Sequence, residues 1–232
     1  MRASRGLTLV EVLVTLVILA VGLLGLSGLI VKASGLNYEA YQRQQALAIA
    51  SDMAERMHAN QSPSAANLVT AGIYANSAPL TAPLGGALSA GMWSALGSSV
   101  LDCGNLAAAA FCTPAQIAQY DLALWEGQLL GAGKRSTGAA GNAGVGGLSN
   151  ARGCIEGPPA VTLLSKNVAA PANTFRITVA WQGEQPVPVS ASADQDLRNV
   201  AACARGGYAT REGVADSSDL YRRLVVLYQV IN

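Results

Sequence analysis

The sequence predicts an α+β fold in which one long N-terminal helix precedes a β-rich C-terminal half. Three observations carry this. Val12 to Val31 is a run of twenty residues without a charge, and Leu36 to Asn60 has neither proline nor glycine and is rich in Ala, Gln, Glu, Arg and Met. Phe175, Ile177, Val179 and Trp181 alternate with Arg176, Thr178, Ala180 and Gln182, the period of a half-buried strand with one dry face. Tyr221 to Ile231 is apolar on both faces after Arg222 and Arg223, as a central strand would be, and Val161 to Leu164 is a candidate third strand.

The 232 residues suit one domain, or one domain with an appendage. Only 12% are charged against 51% hydrophobic, and the mean hydropathy is +0.31. That composition excludes a disordered solvating chain and points to a membrane segment. With 15 basic and 14 acidic residues there is no field to hold a phosphate backbone, so nucleic acid is not an expected partner. One histidine, His58, and four scattered cysteines leave few metal ligands, and no nucleophile is paired with a base. No catalytic residue, metal site or cofactor is expected, and His58 reads as a dipole partner in the last turn of the helix.

Element by element, the helix begins after a polar leader, Met1 to Gly6, that carries Arg2 and Arg5. About 20 residues at 1.5 Å each cross a ~30 Å hydrocarbon core, so Val12 to Val31 is long enough to span a membrane. The arginines stay on the cytoplasmic side, which places the residues after Val31 outside a bacterial inner membrane. A secretory signal would have a shorter apolar region and a small-residue cleavage site, to which Leu26-Ser27-Gly28 is a poor match. Glu11 interrupts the apolar run. A carboxylate there costs about 2 to 3 kcal/mol on insertion scales; alone it would read as a snorkelling acid, but in a functional segment it meets a partner.

Arg5-Gly6-Leu7-Thr8-Leu9-Val10-Glu11-Val12-Leu13-Val14 closely resembles the class III signal of type IV prepilins and secretion pseudopilins. Gly6, Thr8, Leu9, Val10 and Glu11 match that family's pattern, and Leu7 stands where Phe or Met is commoner. The resemblance implies that a prepilin peptidase cuts after Gly6 and methylates the new N-terminus at Leu7, and that Glu11 serves subunit assembly. It implies a pilin-like α/β roll: a long membrane helix packed under a C-terminal antiparallel sheet. Losing Arg2 and Arg5 from the 15 basic residues leaves 13 against 14 acidic, a nearly neutral mature chain.

On this reading residues 1-6 are the leader, 7-60 the helix (membrane part about 7-31, outer amphipathic part 32-60), and 61-232 a periplasmic head. Ala46, Ala50, Met53 and Met57, with Leu47 and Ala54 beside them, form the stripe that packs under the sheet. Asn60 followed by Pro63 ends the helix. Gly22, Gly25, Gly28 and Gly35 each cost a helix about 1 kcal/mol relative to alanine. Two readings are open: local melting in a filament, as in major pilins, with Gly28 in the usual proline's place, or close approach of a second helix.

In the head, residues 62-97 read as loops with a short helix. Thr113-Pro114-Ala115-Gln116 is a capping box with proline at the first helical position, after which Ala118, Leu122, Trp125 and Leu129 share one face. The run from Cys112 to Trp125, the Trp181-Gln182 pair and Arg222-Arg223-Leu224-Val225-Val226 look like the PilV-type minor pilins, the type IV pilus modification proteins. Asp121 and Trp125 are read as structural. Residues 127-153 are glycine-rich and read as a flexible surface excursion. Gly127 to Arg135 superficially resembles a phosphate loop, but Gln128 and Arg135 stand where Gly and Ser or Thr are needed, so nucleotide binding is rejected. The four cysteines, in an exported domain, are expected oxidised. Of three pairings, Cys103 with Cys112 and Cys154 with Cys203 are favoured.

The reading is a minor pilin that helps to initiate or modify pilus assembly, located first in the inner membrane and then in the surface fibre. Its implied partners are the major pilin, other minor pilins, prepilin peptidase and inner-membrane lipid, with a tip adhesin as a further candidate. The alternatives are a minor pseudopilin of a type II secretion system and a membrane-anchored periplasmic binding domain. Intact mass of the mature protein tests the cleavage: the expected species lacks Met1 to Gly6 and carries a methylated Leu7. A wild-type mass retaining the leader, or efficient removal from Gly6→Val, contradicts it.

Overall fold

In the computed structural model, helix α1 spans Leu9–Ala59 and starts where the Thr8 carbonyl and hydroxyl accept from the Glu11 N–H at 3.1 and 3.4 Å. The structure describes residues 8–60, 74, 84–85, 103, 112–131, 147–157, 162–163, 168–169, 173–186, 203–204, 206–208 and 219–231. The chain divides into two units, residues 1–41 and 42–232, and α1 contributes to both.

Within the first unit α1 is exposed on every side, with Leu9, Val10, Ile18, Leu24 and Val31 all more than half exposed. It is long and apolar enough to cross a membrane. Its hydroxyls turn inward: Thr15 Oγ1 donates to the Val12 carbonyl and Ser27 Oγ to that of Leu23, both at 2.8 Å, which satisfies them without water. The helix runs unbroken through Gly22, Gly25, Gly28 and Gly35, and a Cβ at any of them would meet nothing within 4 Å. No neighbour among the described residues requires them to be small.

In the second unit α1 becomes one-sided, burying Gln42, Ala46, Ile49, Ala50, Met53, Ala54 and Met57. Ile49 takes the flanking place expected of Leu47, which is 48% exposed, because the head covers the Ile49 margin of the stripe. The Trp125 indole N–H donates to the Ile49 carbonyl at 3.0 Å on that margin. Helix α2, Pro114–Leu129, starts at the expected capping box: Thr113 Oγ1 accepts from the Gln116 N–H (3.4 Å) and Gln116 Oε1 from the Thr113 N–H (2.9 Å). Ala118, Trp125 and Leu129 are buried in the core that holds the α1 stripe, and Leu122 packs against it partly buried.

Strands β1 (Arg152–Glu156), β4 (Thr174–Gln182) and β5 (Arg222–Val230) form an antiparallel sheet in the order β1-β4-β5. The architecture is α+β and consistent with a pilin fold. Between these strands, β2 (Thr162–Leu163) pairs with β3 (Val168–Ala169) as a separate two-stranded sheet. The apolar run at 161–164 thus contains the expected strand, but in this separate sheet; the third strand of the larger sheet is Arg152–Glu156. The glycine-rich stretch 127-153 begins inside α2 and ends inside β1, with Gly127, Gly131 and Gly153 buried, while residues 132–146, which include the rejected phosphate-loop residues Lys134 and Arg135, lie outside the described residues.

Two further expectations change places. Among the described residues the central strand is β4, and β5 pairs on one side only. β4 is also buried on both faces, Arg176, Thr178 and Ala180 being 3%, 0% and 0% exposed. Its core face, Phe175, Ile177, Val179 and Trp181, lies in the cluster with the α1 stripe, and its outer face has a second cover. Cys154, Ala180, Cys203, Ala204 and Tyr208 form that outer cluster, with Leu224 against it. A segment about 50 residues downstream of β1 thus roofs the sheet, which no local periodicity can announce.

The structure contains both favoured disulfides, Cys103–Cys112 and Cys154–Cys203. The second fixes the roof to β1. Asp219 holds it from the other side, accepting from the Gly206 N–H at 2.8 Å and the Tyr208 N–H at 3.3 Å, while Tyr208 donates to the Asn150 carbonyl at 3.0 Å.

Gly153 sets the distance between α2 and the sheet. A Cβ built there would lie 2.6 Å from both Trp125 Cη2 and Leu129 Cδ1, so the indole rests directly on the strand backbone. The same residue exchanges two hydrogen bonds with Leu84 (2.9 and 2.8 Å), covering the outer edge of β1. Overpacking at such a contact costs about 1–3 kcal/mol. Gly153→Ala is therefore expected to lower the Tm by roughly 2–12 °C in near-UV circular dichroism, at about 2–4 °C per kcal/mol for a chain of this size. An unchanged Tm would show that α2 does not seat on this backbone.

Candidate functional site

Gly6 and Leu7, the expected processing and methylation positions, lie outside the described residues. Glu11, the expected assembly residue, sits in the first turn of α1, where a negative side chain complements the partial positive charge of the helix N-terminus. It is the single charge between Thr8 and Val31. Its neighbours Leu9, Val10, Val12, Leu13 and Val14 are 76%, 68%, 45%, 54% and 52% exposed, so this carboxylate stands in an apolar surface uncovered by its own chain. Such a segment can do two things: enter a bilayer, and pair with a cation brought by another chain.

The head joins the helix through a polar seam that the sequence did not announce. Arg56 Nε donates to Asp52 Oδ2 at 2.7 Å, and Arg56 Nη1 lies 3.4 Å from Asp121 Oδ1. Tyr74 donates to Asp121 Oδ2 at 2.9 Å and accepts from Asn60 Nδ2 at 2.8 Å. The same Asn60 amide donates to the Pro114 carbonyl at 2.9 Å, and Gln128 Nε2 to Asp52 Oδ2 at 3.0 Å. Asp52 and Arg56 at i,i+4 are the part of this seam with a sequence signature. Tyr74 arrives from a segment without periodicity, whereas Asn60 was legible only as the end of the helix. Asp121 and Trp125, read as structural, are the two α2 residues that engage α1 most deeply.

On the outer face of the sheet, Glu156 and Arg176 are cross-strand partners and form a buried ion pair. Among the described residues no group of three or more His, Cys, Asp or Glu side chains lies close enough together to hold a metal ion. His58 is exposed, one residue before the end of α1.

A protein-family model described as the prokaryotic N-terminal methylation motif matches residues 1–27. The match supports a type IV pilin-like protein. It covers the leader, Glu11 and most of the exposed apolar segment. No curated protein and no solved structure matches the chain. The motif, the apolar helix and the α+β head together suggest membrane anchoring and pilin assembly.

Burial raises the Asp121 pKa above the ordinary carboxylate value, against the lowering effects of the Tyr74 hydrogen bond and the Arg56 charge. Burial raises Glu156 likewise, against the charge of Arg176. A carboxyl whose folded pKa lies above its unfolded one binds protons more tightly when folded. Its contribution is complete below the unfolded value, about 4, and is lost as pH rises through the folded value. These two groups should therefore make the Tm rise as pH falls from 7 toward 4. Asp121→Asn, which stays neutral and keeps an acceptor for Tyr74, should reduce that slope. A wild-type slope in the variant would remove Asp121 as a source of the pH dependence.

Proposed function

We propose that this chain is a minor pilin of a bacterial type IV pilus. Prepilin peptidase cuts between Gly6 and Leu7, the apolar part of α1 holds the subunit in the inner membrane with its head in the periplasm, and the subunit then joins a surface fibre. There it helps to initiate or modify assembly beside the major pilin and other minor pilins. The observation that carries the reading is one carboxylate, Glu11, in a fully exposed apolar helix whose first residues match the methylation motif. A subunit of a type II secretion pseudopilus would share that leader. Recovery in sheared surface fibres supports the pilus; retention in the envelope together with a secretion defect supports the pseudopilus.

The role of Glu11 follows from desolvation. After cleavage Leu7 carries a positive α-amino group, and methylation leaves the charge in place. In a bundle of such N-termini, amine and carboxylate both leave water, and an unpaired ion there costs on the order of several kcal/mol. Pairing Glu11 with the amine of an adjacent subunit removes this penalty in one axial position, so the charge selects position more than it adds affinity. Glu11→Gln and Glu11→Ala are accordingly expected to be processed and inserted normally yet depleted from sheared fibres. Either variant in fibres at the wild-type ratio would make Glu11 a solvated interfacial acid instead.

A further inference from the structure

The buried stripe of α1 repeats itself. Moving along the helix by one turn of four residues carries Ala46 onto Ala50, Ile49 onto Met53, Ala50 onto Ala54 and Met53 onto Met57. Volume and polarity are nearly unchanged at each step, and methionine adapts to irregular neighbours. Apolar packing of this kind holds a head onto a helix while specifying its height along the helix weakly, as a uniform seam does in coiled coils.

The polar seam does not repeat. Its partners run in opposite order along the two helices: Asn60 with Pro114, Arg56 with Asp121, Asp52 with Gln128. We infer that Arg56 and Asp121 are a registry pair, which selects the height at which the head sits on α1. A slip of one turn toward the N-terminus would set Asp121 against Asp52, two carboxylates at a site where the Asp121 side chain is 9% exposed. The opposite slip sets Asp121 against Asn60 and leaves its charge without a cation. Burying an unpaired or like-charged carboxylate is strongly unfavourable, whereas between Ala46 and Met57 the stripe offers nearly the same apolar surface after either move, and only its ends, at Gln42 and His58, change in polarity. The pair thus acts by excluding wrong registers. The inference stands on α1 and α2 alone and holds whichever assembly the subunit joins.

Moving the cation by one turn tests this. In the full chain in detergent micelles, nitroxides on non-canonical side chains at Gln44 and Gln119, both exposed, report the axial position of α2 on α1 by electron–electron double resonance. The double variant Asp52→Arg, Arg56→Asp places a cation opposite Asp121 only after the head has slipped one turn toward the N-terminus. The expected result is a shortening of the label separation by about 5 Å, one helical pitch. A folded variant with the wild-type separation overturns the inference. The variant Arg56→Gln, Asp121→Asn removes both charges of the pair while keeping a polar side chain at each position, and decides the matter independently. It should give a distance distribution with a second component one pitch away, and a single wild-type distance shows that apolar packing alone sets the register.

Discussion

One helix must satisfy two solvents, and the rest of this structure depends on that constraint. Up to Val31, α1 is apolar all round, and its few polar side chains are tied back to its own backbone or gathered at Glu11. From Gln42 onward only one narrow stripe is buried, built from Ala and Met with Gln42 and Ile49 at its margins. The head covers it with α2 as well as β4, and the Trp125 ring fills the space between helix, helix and strand.

From that arrangement follow the less obvious features. Trp125 can reach the Ile49 carbonyl because the strand beneath it has glycine at 153, and β1 tolerates that glycine because Leu84 pairs with it on the other edge. The sheet is narrow, so β4 is both its centre and the place where its two covers meet. Its outer face carries Arg176 and Thr178, polar residues that are almost wholly removed from water. Arg176 is held there by Glu156, and that pairing requires β1 to be in register with β4.

What the sequence made legible was what local physics determines. The helix and its end at Asn60, the capping box at Thr113, and the face of α2 through Ala118, Trp125 and Leu129 all depend on spacings of three and four residues. The alternation in β4 was equally clear, but alternation says which residues share a face and not what covers each face. Arg176 therefore read as solvent-facing. β1 was invisible because Arg152-Gly153-Cys154-Ile155-Glu156 has charges at both ends, a glycine near its middle and no period; it is a strand because Trp125, Leu84 and Cys203 surround it. Glu11 was legible for a different reason. A charge inside an apolar run is conspicuous, whereas Asp121 sits in a helix where a charge is ordinary, and its meaning lies in Arg56, 65 residues away.

The roof over the sheet has a consequence in time. Cys154 and Cys203 are 49 residues apart, and the chain between them includes β2, β3 and β4, so the bond closes a long loop that contains the sheet's central strand. Asp219 and Tyr208 can position the roof, but its covalent attachment waits for an oxidant. Until that bond forms, the cover over Ala180 and Leu224 is held by hydrogen bonds, among them those of Asp219 and Tyr208. Oxidation then makes covalent a cover that the fold has already positioned.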